Sequence, residues 1–480
     1  MIPVAADSWQ SGRRSASLPA TVAAMLVAAV LTQSLLTPVN ADVSWLITLC
    51  ERLLGGDRLY VDIIEANPPA SVWLYLPTVW LAQRLALAPE PLVIGSALLG
   101  AVASIAATGV LAAKLRGLPS GWWLMTGAGF ALLILPGALF AQREHFALML
   151  ALPATAAIVR IAERRTPNPA VLAAAGIAAG LLMAIKPPFA LALLLPALWA
   201  AVRVHGWRPF FFPAAAAALV LAAYAAAVVL VTPDYLQLLP MLGATYLPMR
   251  DRPLNFLLGP MLVVPVALYL LGRVAGAERT PPLATALFLA SAGFALAGLM
   301  QGKNYLNHSY PGIALAVVAL AVLLAERTAA PASRRLAIAA AALLIGLQLF
   351  RAMSVQPPPG LVEAIARAGP AKPRLMTLGT ELATGHPAAR LAGGRWVGSR
   401  PSLFTAAAAR YVGLRDPAVR RWYREDLASF VRDVDARRPD LVLVEDRSRS
   451  WLLADPAIRR AMARYRPVTR AGTVEVWRRR

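Results

Sequence analysis

From about residue 19 to residue 353 the chain is a succession of apolar runs, separated by stretches that hold most of that region's charge. Each run is roughly 17–25 residues long, enough for a helix to cross a ~30 Å hydrocarbon core. The pattern predicts about eleven transmembrane helices, near 19–38, 92–113, 120–140, 146–162, 169–185, 188–203, 210–231, 255–273, 282–299, 310–325 and 335–353. A membrane β-barrel is excluded, because its strands would read as short alternating segments. No repeat of 20–50 residues is present.

The pattern changes after residue 354. "RLMTLGT" at 374–380 and "DLVLVED" at 440–446 read as short buried strands, and "PAVRRWYREDLASFVRDVDA" at 417–436 reads as an amphipathic helix. Alternating strand and helix predict a small α/β domain over 355–480, joined through "QPPPG" at 356–360. The fold class expected is therefore an α-helical polytopic membrane protein, a transmembrane domain at 1–354 with a C-terminal α/β domain outside the membrane.

Lys and Arg in short loops mark the cytoplasmic side. Arg13 and Arg14 put the N-terminus inside. Val-Asn-Ala before Asp42 resembles a signal-peptidase site, but the apolar run ahead of it exceeds the 7–15 residues of a signal core, so it is read as an uncleaved span. The first outer loop is then 39–91, and its segment 40–67 is net acidic. Residues 69–87, "PASVWLYLPTVWLAQRLAL", decide the rest. If they span, Lys114 and Arg116, then Arg160, Arg164 and Arg165, then Arg203 and Arg208 all fall outside. If they lie at the interface, as Pro77, Trp73, Tyr75, Trp80 and Arg84 suit, all those clusters fall inside. The second threading is adopted, with N-terminus in and C-terminus out.

Composition agrees. The 480 residues are 58% hydrophobic and 15% charged, with mean hydropathy +0.59, whereas soluble domains are nearer half apolar with about a quarter charged. One cysteine, Cys50, excludes an intramolecular disulfide and a cysteine metal cluster. The formal charge is +22, and residues 355–480 hold 24 Lys/Arg against 12 Asp/Glu. Those basic residues are dispersed among apolar and acidic ones. That favours anionic lipid or an anionic glycan over nucleic acid.

With this threading the polar motifs collect on the outer face. Asp62, Glu65 and Asn67 follow the first span. "QREHF" at 142–146, with Arg143, Glu144 and His145, ends the third. Lys186 caps the fifth. "QGKNYLNHSYPG" at 301–312 precedes the tenth, with Lys303, Asn304, Tyr305, His308 and Tyr310. Each has an ordinary alternative: helix-terminal charge, structural ion pair, snorkelling lysine or hydrogen-bonded histidine. Ionisable groups at membrane depth are costly and usually face a wet cavity or one another. Carboxylates can act as general bases and cations can hold a leaving phosphate. Together they suit a substrate with a phosphate head and a lipid tail.

"YVDIIEANPP" (60–69) resembles the first outer-loop motif of the GT-C superfamily of membrane glycosyltransferases, and "FAQREHFALMLALP" (140–153) the second. "GLLMAIKPPF" (180–189) and "MQGKNYLNHSYPGIALA" (300–316) resemble lysine-bearing segments of bacterial members, which include lipid A aminoarabinose transferases; protein O-mannosyltransferases belong to the same group. The likeness covers about 15–350. It implies an inverting transferase that uses a polyprenyl-phosphate-linked sugar, with a glycan, lipid or protein as acceptor, while the Ala- and Arg-rich composition without organellar signals points to a bacterial inner membrane with the site facing the periplasm. Asp62 would stand at the catalytic-base position, with Glu65 able to share the role. Glu144 would be the second acid, orienting the acceptor or a metal. Arg143, Lys186 and Lys303 would hold the donor phosphate, and Asn67, His145, Asn304, Tyr305 and His308 would line the substrate site. The second motif reads Arg-Glu-His where Asp or Asp-x-Asp is usual. No metal residue is therefore assigned, no cofactor is expected, and a divalent cation stays an option.

A transporter or flippase of lipid-linked glycans is the alternative from another class, but it would favour internal repeats and a midplane site. A glycan polymerase or ligase is a neighbouring enzyme reading, and a non-catalytic envelope scaffold leaves the acids and lysines unexplained. The threading predicts that a periplasmic reporter fused after residue 117 is silent and one fused after residue 232 is active. The reverse pattern would show that residues 69–87 cross the membrane.

Overall fold

A computed structural model of the chain describes residues 20–36, 39–113, 115, 121–165, 168–275, 280–325, 331–354 and 357–480. Arg13, Arg14, Lys114, Arg116 and the first residue of the expected linker lie outside the described residues. Among the described residues eight helices are long and apolar enough to cross a membrane. They are Pro89–Ala112, Arg143–Ala162, Pro187–Val204, Arg208–Val231, Pro253–Val274, Pro282–Gln301, Leu306–Leu324 and Ala332–Met353. Shorter apolar helices cover Ala20–Leu35, Gly121–Ile134 and Pro169–Ile185. Residues 69–84 form two short helices instead, Pro69–Trp73 and Leu76–Arg84. The longer has nine residues, a rise of about 14 Å.

Several helices start three or four residues earlier than the apolar pattern, and two of these starts bring in polar motifs. The helix read as 146–162 begins at Arg143, and the one read as 310–325 begins at Leu306. Polar residues at a first turn do not interrupt a helix, since the first four N–H groups have no intrahelical acceptor. "QREHF" therefore opens a span where it was expected to close one.

The chain divides into two compact units. The first draws on the segments 1–37, 94–225 and 251–354. Its helices meet through small residues. "GIAAG" places Gly176 and Gly180 one turn apart on Pro169–Ile185, where a Cβ would come 2.2 Å from the Pro213 carbonyl and 2.6 Å from Val220 Cβ. On Pro282–Gln301, a Cβ at Gly293 would meet the Leu191 carbonyl at 2.2 Å. Without a hydrophobic force between helices in lipid, such backbone approach supplies packing that larger side chains would prevent. Side-chain to backbone bonds add to it: Ser291 Oγ donates to Gly312 O at 2.7 Å, Ser104 Oγ to Met149 O at 2.8 Å, and Tyr310 Oη to Ala131 O at 2.9 Å.

The second unit draws on the segments 38–93, 226–250 and 355–480. Its sheet comprises β1 (Arg374–Leu378), β2 (Arg395–Trp396), β3 (Leu441–Glu445), β4 (Tyr465–Ala471) and β5 (Val474–Arg479), in the order β2-β1-β3-β5-β4. β1 runs parallel to both β2 and β3, while β5 is antiparallel to β3 and β4. β3 is buried along its whole length, which is why it reads as a continuous apolar run. β4 lies at an edge and carries Arg466, Pro467 and Arg470, residues that discourage further pairing. Helix Pro417–Arg437 starts with Pro417 at its first position behind Asp416, whose carboxylate accepts from Ala418 N and Val419 N. Phe430 and Val434 from that helix pack with Met376, Leu378, Val442 and Val444 of β1 and β3.

Residues 39–91 are integral to this unit. Helix Ala41–Leu54 is capped by the Asn40 side chain. Arg390 donates to Glu51, to Glu90 at 2.6 Å and to Thr48 Oγ1 at 3.2 Å. Arg52 reaches Asp57 at 2.7 Å and the Gly398 carbonyl at 2.5 Å. Ile64 N donates to Ser399 O at 2.8 Å, and Ser399 in turn donates to Asp433. Burial pushes the Cys50 thiol up to about 12, so it is a packing residue and not a nucleophile.

His386 is fully buried between the rings of Trp45 and Trp396, at centroid distances of 5.3 and 4.5 Å. Burial, and secondarily the Arg390 charge, lower its pKa from 6.5 to about 3. The unfolded chain therefore binds a proton that the native unit refuses. Stability is full above pH 6.5 and falls by about 1.4 kcal/mol per pH unit on acidification toward pH 3. Thermal unfolding in detergent at pH 7.5 and pH 5 should show this loss, and His386→Phe should shrink it; an equal loss in both proteins would refute the assignment.

Candidate active site

In the first unit three helix ends bring an acid, an amine and an imidazole together. Pro187 and Pro188 end the helix Pro169–Ile185, because the residue before a proline is driven from helical geometry. Lys186 is accordingly extended, at φ −159° and ψ 107°. Its Nζ donates to Glu144 Oε1 at 3.2 Å and to His308 Nε2 at 2.9 Å, and sits 5.5 Å from the Phe189 ring centroid. His308 Nδ1 lies 3.2 Å from the Lys303 carbonyl. An acceptor there fixes Nδ1 as the protonated nitrogen and leaves Nε2 free to accept from Lys186.

Glu144 is the second residue of Arg143–Ala162, where a carboxylate is favoured by the helix dipole. It is 1% exposed, and its Oε2 has no hydrogen-bond partner among the described residues. The turn before it is held by His145. Ala141 is left-handed at φ 60°, and its N–H donates to His145 Nδ1 at 3.1 Å, while His145 Nε2 donates to Leu132 O at 2.8 Å. Both His145 nitrogens thus bind backbone and present Arg143 and Glu144. Gly302, at φ 68°, ends Pro282–Gln301 and releases the strand of residues that carries Lys303. Lys303 is 3% exposed and Arg143 is 7% exposed. Asn304 donates to Asn255 O at 3.0 Å, and the Tyr305 ring lies 5.4 Å from that of His308.

The second unit holds Asp62, Glu65 and Asn67, in two contrasting environments. Glu65 is 2% exposed. It accepts from Trp45 Nε1 and from the backbone N–H (2.8 Å) and side-chain amide of Asn67. Tyr60 Oη donates to Asn67 O at 2.7 Å and its ring packs on Tyr235. Asp62 accepts from Arg58 N at 2.8 Å and pairs loosely with Arg58 Nε at 3.8 Å, with its side chain 40% exposed. Spacing could not separate these two acids; their surroundings do. Glu65 organises the loop, and Asp62 remains accessible to a reactant. Trp45 and Tyr60 were not singled out from the sequence. Their partners lie 20 and 7 residues away, and no local pattern signals such pairs.

A divalent cation does not fit the Glu144 cluster. The hydrogen-bonded carboxylate oxygen already faces an ammonium, and the imidazole nitrogen beside it accepts from the same ammonium. Among the described residues no group of three or more His, Cys, Asp or Glu is arranged to hold a metal ion.

No family model and no curated protein matches the chain. Solved structures do. ArnT from Cupriavidus metallidurans bound to undecaprenyl phosphate superposes with a TM-score of 0.60 at 14% identity, covering 98% of each chain. The apo form of that ArnT gives 0.60 at 13% identity, over 96% of this chain and 98% of that one. The Archaeoglobus fulgidus oligosaccharyltransferase gives 0.48 at 12% identity, over 93% of this chain and 72% of that one. The chain therefore has the fold of ArnT.

The trio, with Glu144 and His308 buried and Lys186 partly so, yields a double-mutant prediction. Lys186→Met leaves the Glu144 carboxylate uncompensated, at a cost of about 3–5 kcal/mol. Adding Glu144→Gln should recover most of the lost thermal stability in detergent. A double variant no more stable than Lys186→Met would show that the pair is not coupled.

Proposed function

We propose that this chain is a membrane glycosyltransferase that moves a sugar from a polyprenyl-phosphate donor to a hydroxyl of an envelope glycan, lipid or protein. The observation that carries the reading is the Glu144–Lys186–His308 cluster, its acid and imidazole buried, on a chain with the fold of an undecaprenyl-phosphate-binding protein. Placing a lysine and two other ionisable groups at the ends of lipid-embedded helices is costly. A ligand with an anionic head and an apolar tail gives that arrangement a purpose.

In this reading Lys186, Lys303 and Arg143 hold the donor phosphate, and Lys186 exchanges its Glu144 contact for a phosphate oxygen. Glu144, relieved of its ammonium, accepts from an acceptor hydroxyl through Oε2 and orients it. Asp62 takes the proton from the attacking hydroxyl. The acceptor oxygen bonds to the anomeric carbon as the bond from that carbon to the phosphate oxygen breaks. The sugar leaves with inverted configuration, and the polyprenyl phosphate keeps the electron pair. Cations at the leaving phosphate stabilise charge that grows in the transition state. Glu65 and His145 are positioning residues, because each is committed to neighbouring backbone or indole groups. The reaction takes place on the periplasmic side of a bacterial inner membrane, and the α/β part of the second unit lies on that side.

The test is Asp62→Asn and Asp62→Ala, assayed by mass spectrometry of envelope glycans and by transfer in isolated membranes. Loss of a general base should slow transfer by about 10²–10⁴-fold with insertion unchanged. Glu65→Gln should lower activity together with thermal stability. Normal transfer by both Asp62 variants would eliminate Asp62 as the base.

A further inference from the structure

The other end of the first unit carries an apolar cavity that the proposed chemistry does not use. It has a volume of about 530 Å³ and lies among the helices Arg143–Ala162, Pro169–Ile185, Pro187–Val204 and Arg208–Val231. Ile158, Ile161, Leu172, Leu194, Trp207 and Phe211 line it. That volume falls within the roughly 300–1,000 Å³ typical of ligand pockets. Ile161 is 17 residues beyond Glu144 on the same helix, about 26 Å along its axis. A molecule seated here cannot share the Glu144 cluster through a short head group.

The rim is cationic. Arg164 and Arg165 follow the end of Arg143–Ala162, and Arg203, His205 and Arg208 surround the turn that carries Trp207. Arg164 Nη2 lies 3.5 Å from His205 Nδ1, which joins the two ends. Ile161, Ala162, Leu172, Ala200, Ala201 and Phe210 form one packed cluster beneath them. Arg203 stacks over Trp199 with its guanidinium 5.1 Å from the ring centroid. Arg165 pairs with Glu163 at 3.8 Å, and among the described residues no carboxylate pairs with Arg164, Arg203 or Arg208. Trp207 also lines a second, shallower cavity of about 500 Å³ with Trp199 and His205. An aromatic with a polar edge at such a boundary suits the membrane interface.

We propose that this is a binding site for an anionic glycerophospholipid, with one acyl chain in the cavity and the phosphodiester on Arg164 and Arg208. The charge on the rim selects the head, since basic groups at a helix-bundle surface attract anionic lipid. The cavity selects an alkyl chain, since its lining offers almost no polar partner. The occupant is a resident lipid that braces the helices Pro169–Ile185 and Arg208–Val231, distinct from the donor and the acceptor.

Native mass spectrometry of the full chain, equilibrated with equimolar phosphatidylglycerol and phosphatidylcholine in mixed micelles, tests it. The expected result is retained phosphatidylglycerol in excess by about 25-fold, given roughly fivefold for each of the two arginines. Arg164→Gln with Arg208→Gln should bring the two lipids to parity, and Ala179→Phe, which fills the cavity, should remove both. Equal retention by the unaltered protein, or an unchanged preference in the arginine variant, would overturn the proposal. So would displacement of phosphatidylglycerol by undecaprenyl phosphate at equal concentration. Glycan transfer is not the readout, so failure of this site leaves the proposed enzyme activity untouched.

Discussion

The first unit depends on how it tolerates charge in a medium that solvates none. Glu144 is almost wholly buried, and Lys186 contacts both it and His308. Each of the three satisfies part of another's polar requirement, so none could be placed there alone. The sequence arranges this with common devices. A proline pair ends one helix so that Lys186 turns out of it, a histidine latch shapes the turn before Arg143, and a left-handed glycine stops the helix ahead of Lys303. The backbone is irregular at these helix ends, where ionisable side chains are concentrated, as expected where irregular structure lines a polar site.

The two acidic loop residues show how environment divides labour between similar groups. Glu65 is surrounded by donors: an indole, a backbone N–H and an amide. Proton transfer there would break a network. Asp62, three residues earlier, keeps one backbone donor and a loose arginine. Asp62 keeps the exposure that any contact with a reactant requires, and Glu65 does not.

Much of this was legible in the sequence, for reasons that also explain the remainder. Apolar runs such as 210–231 and 282–299 are long and uninterrupted, and they occur as helices at Arg208–Val231 and Pro282–Gln301. The runs "RLMTL" and "LVLVE" appear as β1 and β3, and the amphipathic stretch at 417–436 as Pro417–Arg437. The antiparallel strands β4 and β5 escaped notice, because arginines alternate with apolar residues there and mask a half-buried edge. Helix starts at Arg143 and Leu306 were missed because polar first turns carry no apolar signal. Lys186, Glu144 and His308 read as members of one polar pocket on the outer face, but the contacts among them join residues 42 and 122 positions apart. Local spacing holds no record of such distances. His145 was nominated as a ligand contact, and its pattern could not reveal that both ring nitrogens serve the turn.

The bonds from Arg390 carry a consequence for how such chains are altered. One guanidinium joins Glu51, Glu90 and Thr48 to a segment some three hundred positions later. Helix Ala41–Leu54 and the sheet after residue 373 are therefore a single architectural piece cut in two by the numbering. A chimera that grafted one without the other would strand three acceptors against the wrong surface, whereas exchanging both together would carry the joint intact.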